Sequence, residues 1–109
     1  MKAAELKGKI EQTKTEGKLK NQSVEFIMDM KKYFLSHIKA SPDTLLIEVT
    51  RKDYHQMPWE TFLSEISLAG DNLVAQVHCL DNQANKDILD VYVTSDFLEI
   101  SLGEESAEE

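Results

Sequence analysis

The sequence predicts an α+β fold: helix, strand, helix, then a three-stranded antiparallel meander, with the helices packed on one face of a small sheet of about four strands. Three observations carry this. Large apolar residues recur at steps of three and four over 23–39 and again over 59–66, they alternate at steps of two over 45–50, and three more alternating runs follow residue 72. A chain of 109 residues has material for one hydrophobic core, and with 41% hydrophobic and 29% charged residues it has a globular composition.

The division expected from these patterns is a lysine-rich arm over 1–20, flexible or conditionally helical, a single α+β domain over 21–102 and a disordered acidic tail over 103–109. In the arm only Leu6, Ile10 and Leu19 are large and apolar, and Gly8 and Gly17 interrupt them. Each glycine costs a helix about 1 kcal/mol. From Ser23 to Lys39 the residues Ile27, Met30, Phe34 and Ile38 predict an amphipathic helix, with Ser23 as N-cap, Glu25 near the positive end of the dipole and Ser41-Pro42-Asp43 as the stop. Leu45, Ile47 and Val49 alternate with Leu46, Glu48 and Thr50, which is a strand with one buried face. Pro58 opens a second helix that buries Trp59, Phe62, Leu63 and Ile66 and ends at Gly70.

The meander is read from Leu73–Leu80, Ile88–Thr94 and Phe97–Leu102, with inward sets Leu73, Ala75, Val77 and Cys79, then Leu89, Val91 and Val93, then Leu98, Ile100 and Leu102. No internal repeat is evident. The longest apolar runs span only a few residues, far short of a membrane-crossing helix. Met1 is followed by Lys2-Ala3-Ala4-Glu5 rather than an apolar signal core, and the single cysteine cannot form an internal disulfide, so a cytoplasmic location is expected.

Charge is unevenly distributed. Residues 1–20 hold six lysines against three glutamates, a surplus of three, which against a whole-chain charge of −8 leaves −11 on the other 89 residues. Such a body repels nucleic-acid phosphates and attracts basic partners. Across 81–109, nine acids including Asp87, Asp90, Asp96 and Glu99 are opposed only by Lys86. Tyr54, Met57 and Trp59 offer a second surface of the kind that anchors interfaces, against the alternative that Trp59 belongs to the core.

Site chemistry is weakly signalled. His78 and Cys79 are adjacent in a strand and so point to opposite faces, His37 and His55 stand alone, and neither C-x-x-C nor H-x-x-x-H spacing occurs, so no metal or cofactor is expected. Glu48 and Asp90 are mid-strand carboxylates, but both fall on the alternate, water-facing side of their strands. Arg51-Lys52-Asp53-Tyr54-His55 carries an acid within its basic run and makes a poor single-strand nucleic-acid platform. Four glycines leave little for a phosphate-binding loop, and no phosphate-loop or zinc-protease motif occurs.

The function expected is therefore a small acidic non-enzymatic protein-binding module of the inhibitor, immunity or adaptor type. Its partner surface is placed at Asp87, Asp90, Asp96, Glu99, Tyr54 and Trp59, and its partner is a protein with a basic surface. The alternative weighed is a homo-oligomeric ligand-binding domain, dimerising at the sheet edge or the Leu46 side, with a pocket between helix and sheet. An enzyme using Glu48 or Asp90 with a histidine is the third reading.

Overall fold

The computed structural model describes residues 1–52 and 56–104. The chain runs α1 (Ala3–Thr15), β1 (Ser23–Met28), β2 (Lys31–Ala40), β3 (Leu45–Thr50), α2 (Trp59–Ile66), β4 (Ala75–Cys79), β5 (Ala84–Val93) and β6 (Phe97–Glu104). The six strands close into a barrel in sequence order, with β1 hydrogen-bonded to β6. Two neighbouring pairs, β1 with β6 and β3 with β4, are parallel, and the other four are antiparallel. This overturns the open sheet of about four strands. Closure matters physically, because it gives each strand a neighbour on both sides and so removes the two free outer edges of an open sheet.

The largest correction concerns 23–39, which is a β-hairpin and not a helix. Its two-residue turn is Asp29-Met30, both with positive φ, 53° and 63°, closed by the pair Met28 and Lys31. That is the geometry of a type I′ hairpin turn, normally marked by Asn-Gly, so the sequence carries no turn signal here. The true inward residues are Val24, Phe26, Tyr33 and Leu35, all buried, with Ile38 partly buried against them. A bulge between Leu35 and His37 shifts the alternation by one residue. Leu35 and Ile38 thus stand three apart although both belong to a strand, which imitates helical spacing. Met30, assigned to the buried stripe, is 98% exposed at the turn.

The barrel interior is filled by Val24, Phe26, Ile47, Val49, Val77, Leu98 and Ile100, among others, and the helices add Leu6, Ile10, Phe62 and Ile66 to the same core. Phe62 meets Phe26 edge to face, with ring centroids 6.1 Å apart. Gly17, at φ 78°, ends α1: its N–H donates to Lys14 O and that of Lys18 donates to Thr13 O, a Schellman closure that needs a left-handed residue. Gly70 is needed for another reason, since a Cβ there would stand 2.7 Å from the carbonyl oxygen of Pro42.

The chain folds twice over the same plan. Each half is a helix followed by three antiparallel strands, with a bulge in the middle one, at Leu35/His37 and at Ile88/Asp90. Lys2, just before α1, bridges Val74 just before β4; Pro58, just before α2, bridges Ser23 at the start of β1. The flanking bonds match as well. Ala3 N–H donates to Leu73 O as Trp59 N–H donates to Gln22 O, and Ala75 N–H donates to Met1 O as Val24 N–H donates to Met57 O. The two parallel seams are copies of each other: Val24 opposite Leu98 corresponds to Ala75 opposite Leu45.

The turns before β3 and β6 repeat the relation in detail. Ser41 N–H donates to Thr44 O and Thr94 N–H donates to Phe97 O, both at 2.9 Å, while the Ser41 and Thr94 hydroxyls accept from the N–H groups two and three residues on. Aligned on these bonds, Ser41-Pro42-Asp43-Thr44-Leu45-Leu46-Ile47 lies over Thr94-Ser95-Asp96-Phe97-Leu98-Glu99-Ile100. The shared pattern is a hydroxyl residue, then Asp, Leu and Ile at fixed spacing. The reading that the sequence holds no internal repeat is thereby corrected.

Candidate functional site

Strand alternation decides which acids face outward. Because Ile88, Val91, Leu98 and Ile100 point into the barrel, Asp87, Asp90 and Tyr92 of β5 and Glu99 of β6 share the outer face. Tyr92 stands opposite Glu99, and Asp87 lies opposite Gly103 on one side and Gln76 on the other. Leu89, expected to point inward, is instead the extra residue of the β5 bulge, with Ile88 taking the buried place; it is 58% exposed and its side chain lies over Gly103, where a Cβ would come within 2.6 Å of it. Tyr92 is 55% exposed. The face therefore carries two large exposed hydrophobic side chains among acids.

The predicted residues fall into separate places. Asp90 pairs with Lys9 of α1 at 3.2 Å, and its carboxylate also accepts from Val91 N–H at 2.8 Å. That backbone bond, helped by Lys9, holds its pKa below the usual carboxylate range. Asp96 is exposed in the turn between β5 and β6. Trp59 opens α2, is only 6% exposed, and donates from Nε1 to Lys20 O at 3.0 Å, so it faces the core side of the helix. Tyr54 lies outside the described residues.

One residue missed by the sequence reading stands out. Glu25, read there as an acid in a helix's first turn, sits on the outer face of β1 beside Glu99 of β6, in register with it. Its side chain is fully buried, and no N–H or hydroxyl group donates to either carboxylate oxygen. Lys32 Nζ stands 3.9 Å from Oε1, at the outer limit of an ion pair, and also lies 5.3 Å from the centre of the Phe97 ring. Burial pushes the Glu25 pKa up; Lys32 pulls against this, and Glu99 adds to it through its charge and through a carboxyl–carboxylate hydrogen bond with Glu25. An acid flanked by Val24, Phe26 and Ile27 was the available signal.

The titratable groups of β2, β3 and β4 form a row, since His37 pairs with Glu48 and Glu48 with His78. Both His78 nitrogens are already engaged, Nδ1 with Asn85 at 2.7 Å and Nε2 with Gln83 at 3.1 Å. Cys79, on the opposite face, is buried, and burial raises its thiol pKa, which suits a core residue better than a nucleophile. Among the described residues no three His, Cys, Asp or Glu side chains are grouped to hold a metal ion.

No family model, curated protein or solved structure matches this chain. Its own geometry therefore carries the argument. No helix among the described residues is long and apolar enough to cross a membrane. A cleft of about 460 Å³ opens at the β3–β4 seam, lined by Lys39, Thr44, Leu46, Val74 and Gln76 among others.

Proposed function

We propose that the chain is a small acidic protein-binding module, without catalysis of its own, that engages a basic protein through the outer face of β5 and β6. The observation that supports this most directly is the placement of Leu89 and Tyr92, 58% and 55% exposed, among Asp87, Asp90 and Glu99. An apolar contact inside a charged rim is how specific interfaces are built, and the negative field speeds encounter with a basic partner. Asp96 extends the acidic side toward the β5–β6 turn. A cytoplasmic setting, where Cys79 stays reduced, belongs to the same reading.

The test is affinity capture from the source cell's lysate with the full-length protein beside an Asp87→Lys/Asp90→Lys/Glu99→Lys variant, followed by titration of the purified captured protein. A basic protein bound by the wild type, with affinity that falls on charge reversal and with rising salt, supports the reading. Binding indifferent to both, or no binding, overturns it.

A second reading, a homo-oligomeric ligand-binding domain, draws support from the cleft beside Leu46. It requires a dimer by sedimentation that Leu46→Lys dissociates, and a monomeric wild type excludes it.

A further inference from the structure

Gln76 of β4 and Glu25 of β1 hold matching places in the two parallel seams, beside Leu46 and Glu99 respectively. Gln76 Nε2 donates to Lys86 O at 3.1 Å, so the position is readily satisfied by a neutral amide. In the other half the chain keeps a carboxyl group, fully buried, with no N–H donor to either oxygen and only the Glu99 carboxyl beside it. Two carboxyl groups side by side, one of them buried without an N–H donor, are costly once both ionise. Around it stand a second carboxylate, Glu99, an aromatic ring, Phe97, and one cation, Lys32. Lys32 sits too far from Oε1 to hydrogen-bond, and its side chain is 57% exposed.

We propose that Glu25 and Glu99 form a slot for the guanidinium of an arginine on the protein partner, walled by the Phe97 ring and occupied in the free protein by Lys32. The site extends the acidic face described above and rests on that reading. A planar guanidinium supplies what the ammonium does not: parallel N–H donors for the Glu25 oxygens, which receive none, and a flat face for the ring. Lys32 stands opposite Ile27 with its side chain 57% exposed, so its ammonium is free to swing out into solvent as the arginine arrives. The arginine enters as Lys32 leaves, so the net charge in the slot is unchanged.

Methylguanidinium chloride is the probe, titrated into the full-length protein and followed by NMR at the Glu25 and Glu99 carboxyl carbons, with methylammonium as the competing cation type. The wild type should show saturable shifts at both carboxyls. Lys32→Ala, which removes the internal occupant, should bind roughly threefold tighter or better, the scale of an exposed ion pair. Glu25→Gln, whose side chain is the one the other half already uses, should abolish the shifts. Absence of a saturable shift in Lys32→Ala, undiminished shifts in Glu25→Gln, or preference for methylammonium overturns the proposal. The probe is independent of any partner, so failure here is distinguishable from failure to capture a basic protein.

Discussion

Glu25 and Gln76 occupy corresponding positions in the two halves of the barrel, but Gln76 is bonded to the backbone, its Nε2 donating to the carbonyl oxygen of Lys86 at 3.1 Å, whereas no N–H group donates to Glu25. The neighbouring pairs match, Phe26 with Tyr33 and Val77 with Lys86, and a neutral amide at position 25 removes the buried ionisable group. Glu25→Gln is therefore expected to stabilise the protein, by roughly 1–3 kcal/mol, the cost of a buried unsatisfied polar group. The gain depends on pH. Glu25 has a folded pKa raised above its ordinary 4.5, so its protonated form contributes stability that is present below the unfolded value and is lost as pH rises through the folded one. Urea unfolding at pH 4 and pH 8 should show a small advantage of the variant at pH 4 and the full advantage at pH 8. Equal stability at pH 8 would count against this account.

The β1–β2 turn offers a second test. Asp29 and Met30 both adopt left-handed backbone angles that L-residues with side chains avoid at a cost of about 1–2 kcal/mol each. Met30 is 98% exposed, so its replacement forfeits no packing. Asp29→Asn with Met30→Gly should raise the unfolding free energy by about 1 kcal/mol and leave the far-ultraviolet circular dichroism unchanged. A destabilised variant would mean that this hairpin is not closed by a type I′ turn.

This turn also explains why the barrel was hard to read. Leu45-Leu46-Ile47-Glu48-Val49 alternates without interruption and Trp59-Phe62-Ile66 keeps helical spacing, so β3 and α2 are legible as local patterns. Between Ser23 and Ala40 two devices with no composition signal, a glycine-free hairpin turn and a bulge, convert period two into an imitation of period three to four. Closure itself depends on β1 meeting β6 and β3 meeting β4, contacts made far apart in sequence. The repeat was legible mainly at Asp43-x-Leu45-x-Ile47 and Asp96-x-Leu98-x-Ile100, because most other matched positions hold different side chains, such as Leu6 and Phe62, and identical pairs such as Met1/Met57 and Ile10/Ile66 are isolated. The acids of β5 and β6 were visible as composition. The position of Glu25 was not, since a helix and an outward strand position treat it differently.

His78 provides a third prediction. Hydrogen bonds from its ring to Asn85 and then Gln83 raise its pKa, with the Glu48 charge acting in the same direction and burial opposing. Both partner atoms are side-chain oxygens, which accept from the doubly protonated ring. A raised folded value means that the contribution to stability is full below the unfolded pKa of 6.5 and disappears as pH rises through the folded one. Asn85→Ala/Gln83→Ala should lower the His78 pKa in a proton NMR titration and weaken the fold at pH 5.5 but not at pH 8.5. An unchanged titration would show that these bonds do not favour the charged ring.

The duplication makes the last prediction, about connectivity. Five residues, 52–56, join Arg51 to Met57, and Met57 O accepts from Val24 N–H. In the other half Glu104 corresponds to Arg51 and Met1 to Met57, with Met1 O accepting from Ala75 N–H. Residues 105–109 are also five. Joining Glu109 directly to Met1 therefore reproduces the length of the natural connection between the halves, and opening the chain between 52 and 56 exchanges one five-residue connection for the other. This circular permutant should fold to a monomer or oligomer of the same size as the parent, with the same circular dichroism and a single cooperative unfolding transition. Its stability should lie within about 2 kcal/mol of the parent, because every strand pair and both helix bridges are retained and only loop closure changes. A permutant that fails to fold would mean that the two connections are not equivalent, and that the symmetry of the hydrogen bonds does not extend to the paths between the halves.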